Sequence, residues 1–246
     1  MTSTSGIALV TGGTSGIGEA TLRELRSAGF QCRTTFKERD SQAQQLVDEG
    51  VVSSASRLSL DNAEDVEAWL VSPAGVEATA DVDVLVLNAG EILRPGDWQG
   101  QSVQDMLRTL QCHIVSPVLI ARATAAGMAE RRRGAIVFTS STYGLTGAAG
   151  VLMYAAAKQA LVSVTRSLAR ELGGSGVRVN CVMPGNIDTP MTSSAGPDVI
   201  AWVEGTTPLG RLGRPEDVAR QTRFFIENDF VTGAVGVVDG GQILNM

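Results

Sequence analysis

The stretch that decides the fold is residues 6–19, which read GIALVTGGTSGIGE. Its apolar first half, Gly6 to Val10, predicts a β-strand, and Glu19 to Ser27 predicts an α-helix after the loop. Glycines in this position let the backbone approach a phosphate, and the helix N-terminus offers unpaired N–H groups and a partial positive charge. The pattern predicts a dinucleotide-binding turn, with an ordinary tight turn as the alternative. The residues expected to bind the dinucleotide here are Gly12, Thr14, Ser15, Gly16, Ile17 and Gly18.

The alternation of short apolar runs with helical stretches continues along the chain. Further strands are predicted at Gln31 to Phe36, Ser53 to Leu60, Val82 to Leu87, Ala135 to Thr139, Val177 to Val182 and Ala234 to Val238. Further helices are predicted at Ser41 to Glu49, Ala63 to Leu70, Val103 to Ala126, Met153 to Leu172 and Pro215 to Ile226. Such alternation is typical of a parallel sheet covered by helices on both faces. We therefore expect an α/β fold, a doubly wound parallel sheet of the Rossmann type.

Two segments depart from this regular pattern. Pro117 lies inside the long helical stretch 103–126, where it is expected to kink the helix. Residues 189–213 contain several prolines and glycines but no clear strand, which predicts a short lid over the substrate. No repeat, low-complexity tract or linker divides the sequence. A single dinucleotide-binding domain is therefore expected over residues 1–246.

The rarest side chains exclude several kinds of site. The 246 residues include one histidine, His113, and two tyrosines, Tyr143 and Tyr154. A single histidine excludes a multi-histidine zinc site and leaves at most one base for a Ser-His-Asp arrangement, so no metal is expected. The formal net charge of −6 argues against nucleic acid as a partner.

The cysteines and the first residues bear on the cellular compartment. Three cysteines, far apart and without a CxxC pair, predict neither a disulfide framework nor a zinc knuckle. Free thiols fit a reducing compartment. The first six residues, MTSTSG, carry no basic segment typical of a signal peptide, and no apolar run approaches the roughly 20 residues of a membrane span. These observations favour a cytoplasmic protein that does not associate with membranes.

Tyr154 and Lys158 are four residues apart in a predicted helix, so their side chains share one face. When a hydride reduces a carbonyl group, the resulting alkoxide needs a proton. Free tyrosine has a pKa of about 10 and is a poor base at neutral pH, but a neighbouring ammonium group favours its ionised form. The two residues are therefore a candidate acid/base and its activator, with a chance Tyr–Lys pair as the alternative.

Four motifs, in order along the chain, resemble those of the short-chain dehydrogenase/reductase family. TGGTSGIG at residues 11–18 resembles the family's TGxxxGIG loop. Asn88-Ala89-Gly90 resembles its NNAG motif, with Leu87 in place of the first Asn. Tyr154 and Lys158 match its YxxxK, and Pro184-Gly185 matches its PG motif. The resemblance spans nearly the whole chain.

The resemblance implies a set of catalytic residues. Tyr154 is expected to act as the general acid/base, and Lys158 to activate it and to bind the cofactor ribose. The position of the family serine selects Ser141 to bind the substrate oxygen; Ser140 should point to the opposite side, because side chains alternate in an extended segment. His113 occupies a slot that usually holds an Asn, whose backbone carbonyl holds a water in a proton relay to the lysine. A packed histidine with satisfied nitrogens is the alternative.

The end of the second strand bears on the choice of cofactor. An acidic residue there binds the ribose of NAD, whereas a basic one accepts the 2′-phosphate of NADP. By the resemblance, the acidic slot falls on Phe36 and the next residue is Lys37, which favours NADP(H) over NAD(H); Glu38 and Asp40 leave NAD(H) open. Ser59 falls where the family commonly has an adenine-contacting Asp, with Asp61 as the alternative. The other residues that the resemblance assigns to the cofactor are Leu60, Asn88, Ala89, Gly90, Pro184, Gly185, Ile187 and Thr189.

Together these features predict an oxidoreductase that transfers a hydride between NADP(H) and a ketone or secondary alcohol. The expected substrates are small ketones or 3-oxoacyl thioesters, and Trp98, Trp202 and Met153 are candidates for their pocket. An NAD-dependent secondary-alcohol dehydrogenase is one alternative. A non-catalytic dinucleotide-binding regulator is another, since fold does not imply function. The resemblance also implies a homo-oligomer, a tetramer or a dimer, built on the two long helices and the C-terminal segment.

Overall fold

The structure, a computed structural model, describes residues 6–92, 98–193 and 196–245. Its centre is one parallel sheet of seven strands in the order β3-β2-β1-β4-β5-β6-β7. The strands are β1 Ile7–Thr11, β2 Gln31–Phe36, β3 Ser54–Arg57, β4 Val82–Leu87, β5 Gly134–Thr139, β6 Val177–Pro184 and β7 Val235–Val238. The predicted doubly wound α/β fold is confirmed.

Alternating side chains along the strands supply a core on each face of the sheet. In β4, for example, Leu85 and Leu87 face one apolar cluster, whereas Val84 and Val86 face the other. Helices cover both faces, so the central strands are apolar on both sides, as buried parallel strands are. The helices are α1 Gly16–Ser27, α2 Asp40–Asp48, α3 Ala63–Val71, α4 Pro73–Thr79, α5 Val103–Leu110, α6 Ser116–Glu130, α7 Tyr143–Thr146, α8 Leu152–Leu172, α9 Pro190–Ser193, α10 Pro197–Thr206 and α11 Pro215–Glu227.

The third strand is shorter than the predicted Ser53 to Leu60. It lies at the edge of the sheet and pairs with β2. Beyond the pairing, the Leu58 amide donates to the Phe36 carbonyl at 2.8 Å, and the chain then leaves the sheet. Leu60 is buried in the core, and burial of this kind competes successfully with further pairing at an edge.

The long helical stretch is broken by a π-helical turn at Gln111–Val115, between α5 and α6. Pro117 has no N–H for the carbonyl of residue 113, and its ring would clash with that carbonyl in a regular α-helix. The wider turn, closed by a bond from the Ser116 amide to the Gln111 carbonyl, accommodates the proline. The predicted kink thus takes the form of a π-helical turn that carries His113.

The combined segment Val103–Glu130 is long and apolar enough to cross a membrane by those two criteria. In its most apolar window, 56% of the residues are buried inside the fold. Ile120, Ala121 and Met128, for instance, pack in the core beneath the sheet. The apolar character of this segment is therefore explained by burial against the sheet.

The predicted lid contains two helices, α9 and α10, and its residues 194–195 lie outside the described ranges. A single bridge between Ile187 and Gly213 joins the two ends of the segment. The segment lies beyond the carboxyl end of β6, on the side of the sheet where the Gly-rich loop lies. Ligands of open α/β sheets bind at this side, where the strand order reverses between β1 and β4.

Candidate active site

A cleft of about 550 Å³ lies at the carboxyl ends of β1, β2, β4, β5 and β6. The Gly-rich loop lines one part of it, and the residues after β5 with the first turns of α8 line another. Most of the predicted site residues line this cleft: Gly12, Thr14, Ser15, Gly16, Ile17, Lys37, Leu60, Asn88, Ala89, Gly90, His113, Ser141, Tyr154, Lys158, Pro184, Gly185, Ile187 and Thr189. Gly18 and Ser59 are not among its lining residues.

The Gly-rich loop is held by contacts that leave no space for side chains. Gly12 has a φ of 69°, and a Cβ there would lie 2.9 Å from the Cα of Ala89. A Cβ on Gly18 would lie 2.1 Å from the carbonyl oxygen of Gly12, so Gly18 allows the helix to pack on the loop, and its cofactor contact stays a prediction. Ser15 begins α1 without a side-chain cap, which leaves first-turn amides available for an anion.

Thr11 connects the ends of β1 and β4 through hydrogen bonds. Its Oγ1 accepts from the backbone amides of Asn88 and Ala89, both at 3.1 Å. The side-chain amide of Asn88 donates back to the Thr11 carbonyl at 3.2 Å. Leu87, the residue that departs from the NNAG motif, is buried in the core. The motif's remaining Asn therefore makes the contacts to the loop, and the departure affects packing beneath the sheet.

Tyr154 and Lys158 project from the first two turns of α8 and are both buried. The Lys158 ammonium donates to the Thr139 carbonyl at 2.7 Å and lies 5.5 Å from the centroid of the Tyr154 ring. Burial lowers the pKa of Lys158 to about 8, because desolvation disfavours its charged form. The predicted common face of the two side chains is present, with the ammonium behind the phenol ring.

Ser140 and Ser141 have different partners, as alternation along an extended segment predicts. The Ser140 hydroxyl donates to the Lys158 carbonyl at 2.6 Å, so Ser140 ties the end of β5 to α8. The Ser141 hydroxyl accepts from the Tyr143 amide at 3.3 Å, and both serines line the cleft. Of the two, Ser141 keeps a hydroxyl proton to offer to a substrate oxygen.

His113 is buried, and its ring meets the Tyr154 ring edge to face, with centroids 5.1 Å apart. Its Nε2 lies 2.7 Å from the Glu91 carbonyl oxygen. Burial, with a smaller effect of the Lys158 charge, lowers the pKa of His113 to about 3, so the imidazole is neutral and Nε2 carries the proton donated to that carbonyl. The imidazole therefore connects the Glu91 backbone to the Tyr154 ring, and among the described residues its Nδ1 has no hydrogen-bond partner.

Lys37 belongs to a cluster of four charged side chains, Lys37, Asp61, Glu91 and Arg108, which we call the ion-pair cluster. Lys37 Nζ lies 2.8 Å from Asp61 and 3.3 Å from Glu91. Burial lowers the pKa of Lys37, but the hydrogen bond to Asp61 and the charge of Glu91 outweigh that effect and raise it above its usual value. The predicted phosphate ligand is therefore a charged ammonium group that already has two carboxylate partners.

On the adenine side of the cleft, the predicted residue Ser59 and its alternative Asp61 lie in different positions. The Ser59 hydroxyl accepts from the Asp61 amide at 3.4 Å and does not line the cleft. Asp61, the alternative, does line it.

The lid contributes Thr189, Pro190, Met191 and Thr192 to the cleft. Trp98 and Trp202, which the sequence suggested for a substrate pocket, are 64% and 53% exposed and do not line it. Neither does Met153. The apolar lid residues that line the cleft include Pro190 and Met191.

Cys112 lines the cleft but is not suited to nucleophilic chemistry. Burial raises its pKa to about 11, so it is a neutral thiol at physiological pH. Within residues 6–92, 98–193 and 196–245, no group of three His, Cys, Asp or Glu side chains is arranged to hold a metal ion.

Sequence reasoning missed three residues that shape the cleft. Thr11 was treated as the start of the loop, and its bonds to β4 depend on strand pairing across a sequence separation of 77 residues. Glu91 directly follows the NAG motif, and its charge was the one feature of the sequence that could have indicated a role in the cleft. Arg108 lies on α5, and nothing in its surrounding sequence indicates that it reaches the cofactor side.

Comparison with known proteins agrees with this geometry. A family model described as enoyl-(acyl carrier protein) reductase matches residues 12–242. The chain belongs to the short-chain dehydrogenase/reductase family. It is 36% identical over 239 residues to a cis-4-hydroxycyclohexanecarboxylate dehydrogenase from Sinomonas cyclohexanicum, covering 96% of this chain and 95% of the relative. It is 34% identical over 244 residues to a 3-oxoacyl-(acyl-carrier-protein) reductase from Haemophilus influenzae, covering 97% and 98%.

One solved structure is similar to this chain over nearly its whole length. It is provisionally assigned as an NAD(P)-dependent gluconate 5-dehydrogenase from Beutenbergia cavernae and has NADP bound at low occupancy. The TM-score is 0.88 at 30% identity, with 98% of each chain covered. As a member of this family, the protein is an NAD(P)-dependent oxidoreductase that acts on CH–OH groups.

The residues of the cleft fit a nicotinamide dinucleotide. The uncapped first turn of α1 and the close approach at Gly12 suit a pyrophosphate. The cleft continues from there to Tyr154 and Lys158, where a nicotinamide ring and its ribose would lie. A cavity of about 550 Å³ is within the usual range of roughly 300–1,000 Å³ for cofactor sites.

Proposed function

We propose that the protein is an NADP(H)-dependent ketoreductase that interconverts a ketone and a secondary alcohol. The observation that carries the proposal is the grouping of Ser141, Tyr154 and Lys158 at one part of a cleft whose other part is a phosphate-binding loop. When bound, the nicotinamide supplies the hydride in reduction and accepts it in oxidation. The chain's own residues bind the carbonyl oxygen and move the proton.

Tyr154 is proposed to donate its phenolic proton to the carbonyl oxygen as negative charge develops there. Its ring is held from one side by His113 and approached by the Lys158 ammonium from another. The positive charge stabilises the tyrosinate that remains after proton transfer. Ser141 is proposed to donate a hydrogen bond to the same substrate oxygen and so hold it beside the phenol.

His113 is proposed to act as a positioning residue. A neutral imidazole with a pKa of about 3 does not exchange protons near neutral pH. Its Nε2–H bond to the Glu91 carbonyl fixes the ring, and the ring in turn contacts Tyr154. An Asn side chain could donate to the same carbonyl, which explains how a histidine can stand in a slot that usually holds Asn.

The preference for NADP(H) is supported by Lys37, which follows β2 and lines the cleft. An ammonium group there suits a 2′-phosphate. One observation favours the second candidate, an NAD-dependent alcohol dehydrogenase: Lys37 is already paired with Asp61 and Glu91. A carboxylate such as Asp61 can also accept from ribose hydroxyls.

The proposed substrates are small ketones and 3-oxoacyl thioesters. The relative named as a cis-4-hydroxycyclohexanecarboxylate dehydrogenase supports the first class, and the relative named as a 3-oxoacyl-(acyl-carrier-protein) reductase supports the second. The lid, residues 189–213, is proposed to cover the substrate, since four of its residues already line the cleft. Met191 and Ile187 offer apolar contacts there.

The deciding experiment is a screen of oxidation and reduction with NADPH and NADH, over ketones, secondary alcohols and acetoacetyl thioesters. Absorbance at the reduced nicotinamide band reports turnover. We expect reduction with a kcat/KM for NADPH at least about tenfold above that for NADH. Equal values would reject the basic-pocket interpretation. Tight binding of NADPH without turnover of any compound would favour the non-catalytic regulator.

The cellular setting and the assembly are proposed from other features. All three cysteines are free and buried, which suits the cytoplasm. Exposed apolar side chains lie on the two long helical segments and near the C-terminus, among them Val103, Leu107, Leu152 and Leu244. We propose a homotetramer that covers them, with a dimer as the alternative. Light scattering after size-exclusion chromatography distinguishes both from a monomer.

A further inference from the structure

The ion-pair cluster has crossed contacts. Lys37 Nζ and Arg108 Nη2 both reach Oδ2 of Asp61, at 2.8 and 2.9 Å. The same two groups reach Oε1 of Glu91, at 3.3 and 2.5 Å. Each carboxylate oxygen therefore accepts from two cations, and the formal charges of the four side chains cancel. The cluster lies at the carboxyl end of β2, where a 2′-phosphate would lie.

Because Lys37 and Arg108 each contact both carboxylates, either cation alone can pair with Asp61 and Glu91. If Lys37 turns toward a ligand, Arg108 still pairs with both Asp61 and Glu91, so neither carboxylate loses its last cationic partner. An orphaned carboxylate would be costly, whereas one that keeps a charged donor is not. The Lys37 side chain is 37% exposed, so water can accompany its movement. Lys37 is thus free to exchange partners at low cost.

We propose that Glu91 and Arg108 set the affinity of the cleft for the 2′-phosphate of NADP(H). Glu91 weakens binding because it competes with the phosphate for Lys37 and repels its negative charge. Arg108 strengthens binding because it takes over both carboxylates when Lys37 turns to the phosphate. The inference rests on the proposed use of NADP(H) and assigns a specificity role to two residues outside the Gly-rich loop and the end of β2.

A substitution of Glu91 can test the role of its charge alone, because its main chain and its side chain have separate partners. The carbonyl oxygen accepts from His113 Nε2 at 2.7 Å, whereas the carboxylate contacts the two cations. Glu91→Gln removes the charge and keeps the backbone contact and the side-chain shape. Arg108→Gln removes the opposite charge from the same cluster.

The test compares two ligands that differ in the 2′-phosphate. Adenosine 2′,5′-bisphosphate and 5′-AMP are titrated into the full-length protein by isothermal calorimetry, and neither ligand can transfer a hydride. Glu91→Gln is expected to bind the bisphosphate about three- to tenfold more tightly, and Arg108→Gln about three- to tenfold more weakly. Affinity for 5′-AMP should stay the same in both variants.

Matched controls come from a second ion pair, Arg122 with Glu67, which lies between α6 and α3 with its charged groups 3.6 Å apart. Glu67→Gln and Arg122→Gln change the net charge equally and should leave both affinities as in the wild type. If the Glu91 and Arg108 variants behave like these controls, the inference is overturned. If Arg108→Gln melts early, Glu91→Gln decides the matter by itself, because its shape is conserved.

A third variant, Lys37→Met, separates this inference from the proposed function. Loss of bisphosphate affinity in Lys37→Met, with no change in the Glu91 and Arg108 variants, overturns the inference and leaves NADP(H) use standing. No preference of the wild type for the bisphosphate over 5′-AMP, together with no effect of Lys37→Met, rejects NADP(H) use itself. Opposite shifts in the Glu91 and Arg108 variants support both.

Discussion

The two ends of the cleft are built in opposite ways. Around Tyr154, the side chains are buried, and the Lys158 ammonium donates to a backbone carbonyl. Around Lys37, the charged side chains are about one-third exposed and share carboxylates with Arg108. A backbone carbonyl cannot turn away, whereas a shared carboxylate can change partners. The difference supports the proposal that geometry is fixed where the proton is transferred and adjustable where the 2′-phosphate of the cofactor is bound.

The largest effect is expected for Tyr154→Phe, which removes the phenolic hydroxyl and keeps the ring against His113. We expect kcat for ketone reduction to fall about a thousandfold, the contribution of a positioned acid. Tyr143→Phe is the matched control, because the sequence has two tyrosines and Tyr143 does not line the cleft. A similar loss in both variants, or in neither, would show that the phenol of Tyr154 is not the acid.

Gly90→Ala should show how tightly the catalytic end is packed. A Cβ at Gly90 would lie 2.5 Å from His113 Cε1 and 2.8 Å from Nδ1. The imidazole must shift, and Tyr154 with it, so kcat should fall by up to about a hundredfold while the protein remains folded. Gly173→Ala is the control, since a Cβ there meets nothing within 4 Å. Full activity in Gly90→Ala would mean that the imidazole shifts without displacing Tyr154.

The pH dependence of reduction should follow Lys158, whose pKa burial lowers to about 8. Above that pH the ammonium is lost, so kcat/KM should fall about tenfold per pH unit. Stability should change in the opposite sense. Between about pH 8 and 10.5 the unfolded chain binds more protons than the native one, so the free energy of unfolding rises with pH in this window.

Urea unfolding of the wild type and Lys158→Met across this pH range measures the stability effect. The difference between them should shift in favour of the wild type as pH rises, by up to about 3 kcal/mol. A difference that stays constant from pH 7 to about 10 would indicate an ordinary pKa for Lys158.

At the adjustable end, Lys37→Met should raise the KM for NADPH about tenfold, the value of one charge-assisted contact to a phosphate. The KM for NADH and both kcat values should change little, because the side-chain hydrogen bonds of Lys37 go to Asp61 and Glu91. An equal rise for both cofactors would indicate a general disturbance of the cleft and no selective contact with the 2′-phosphate.

The smallest effect is expected for His113→Asn. An Asn amide can donate to the Glu91 carbonyl as Nε2 does, so activity should stay within about threefold of the wild type. Because His113 has a pKa of about 3, the wild-type pH profile should show no inflection near pH 6 to 7 that the variant lacks. Total loss of activity would mean that the imidazole itself transfers protons.

The sequence predicted the catalytic end of the cleft better than the end that contains Lys37. The strands, the Gly-rich loop and the Tyr154–Lys158 pair depend on local spacing, and the structure has them close to where they were predicted. The partners of Lys37 were not predicted, because Asp61, Glu91 and Arg108 come from three separate segments and meet through tertiary packing. The π-helical turn was predicted as a kink, since a proline signals an interruption but not the hydrogen bonding that absorbs it.

The position of Glu91 has a consequence for how this enzyme can change over evolution or in the laboratory. Its carbonyl oxygen serves the catalytic end through His113, and every amino acid provides that oxygen. Its side chain serves the cofactor end, and there the choice of amino acid matters. If Glu91 sets the affinity for the 2′-phosphate as proposed, substitutions at this one codon would change cofactor use and leave the backbone contact to His113 unchanged.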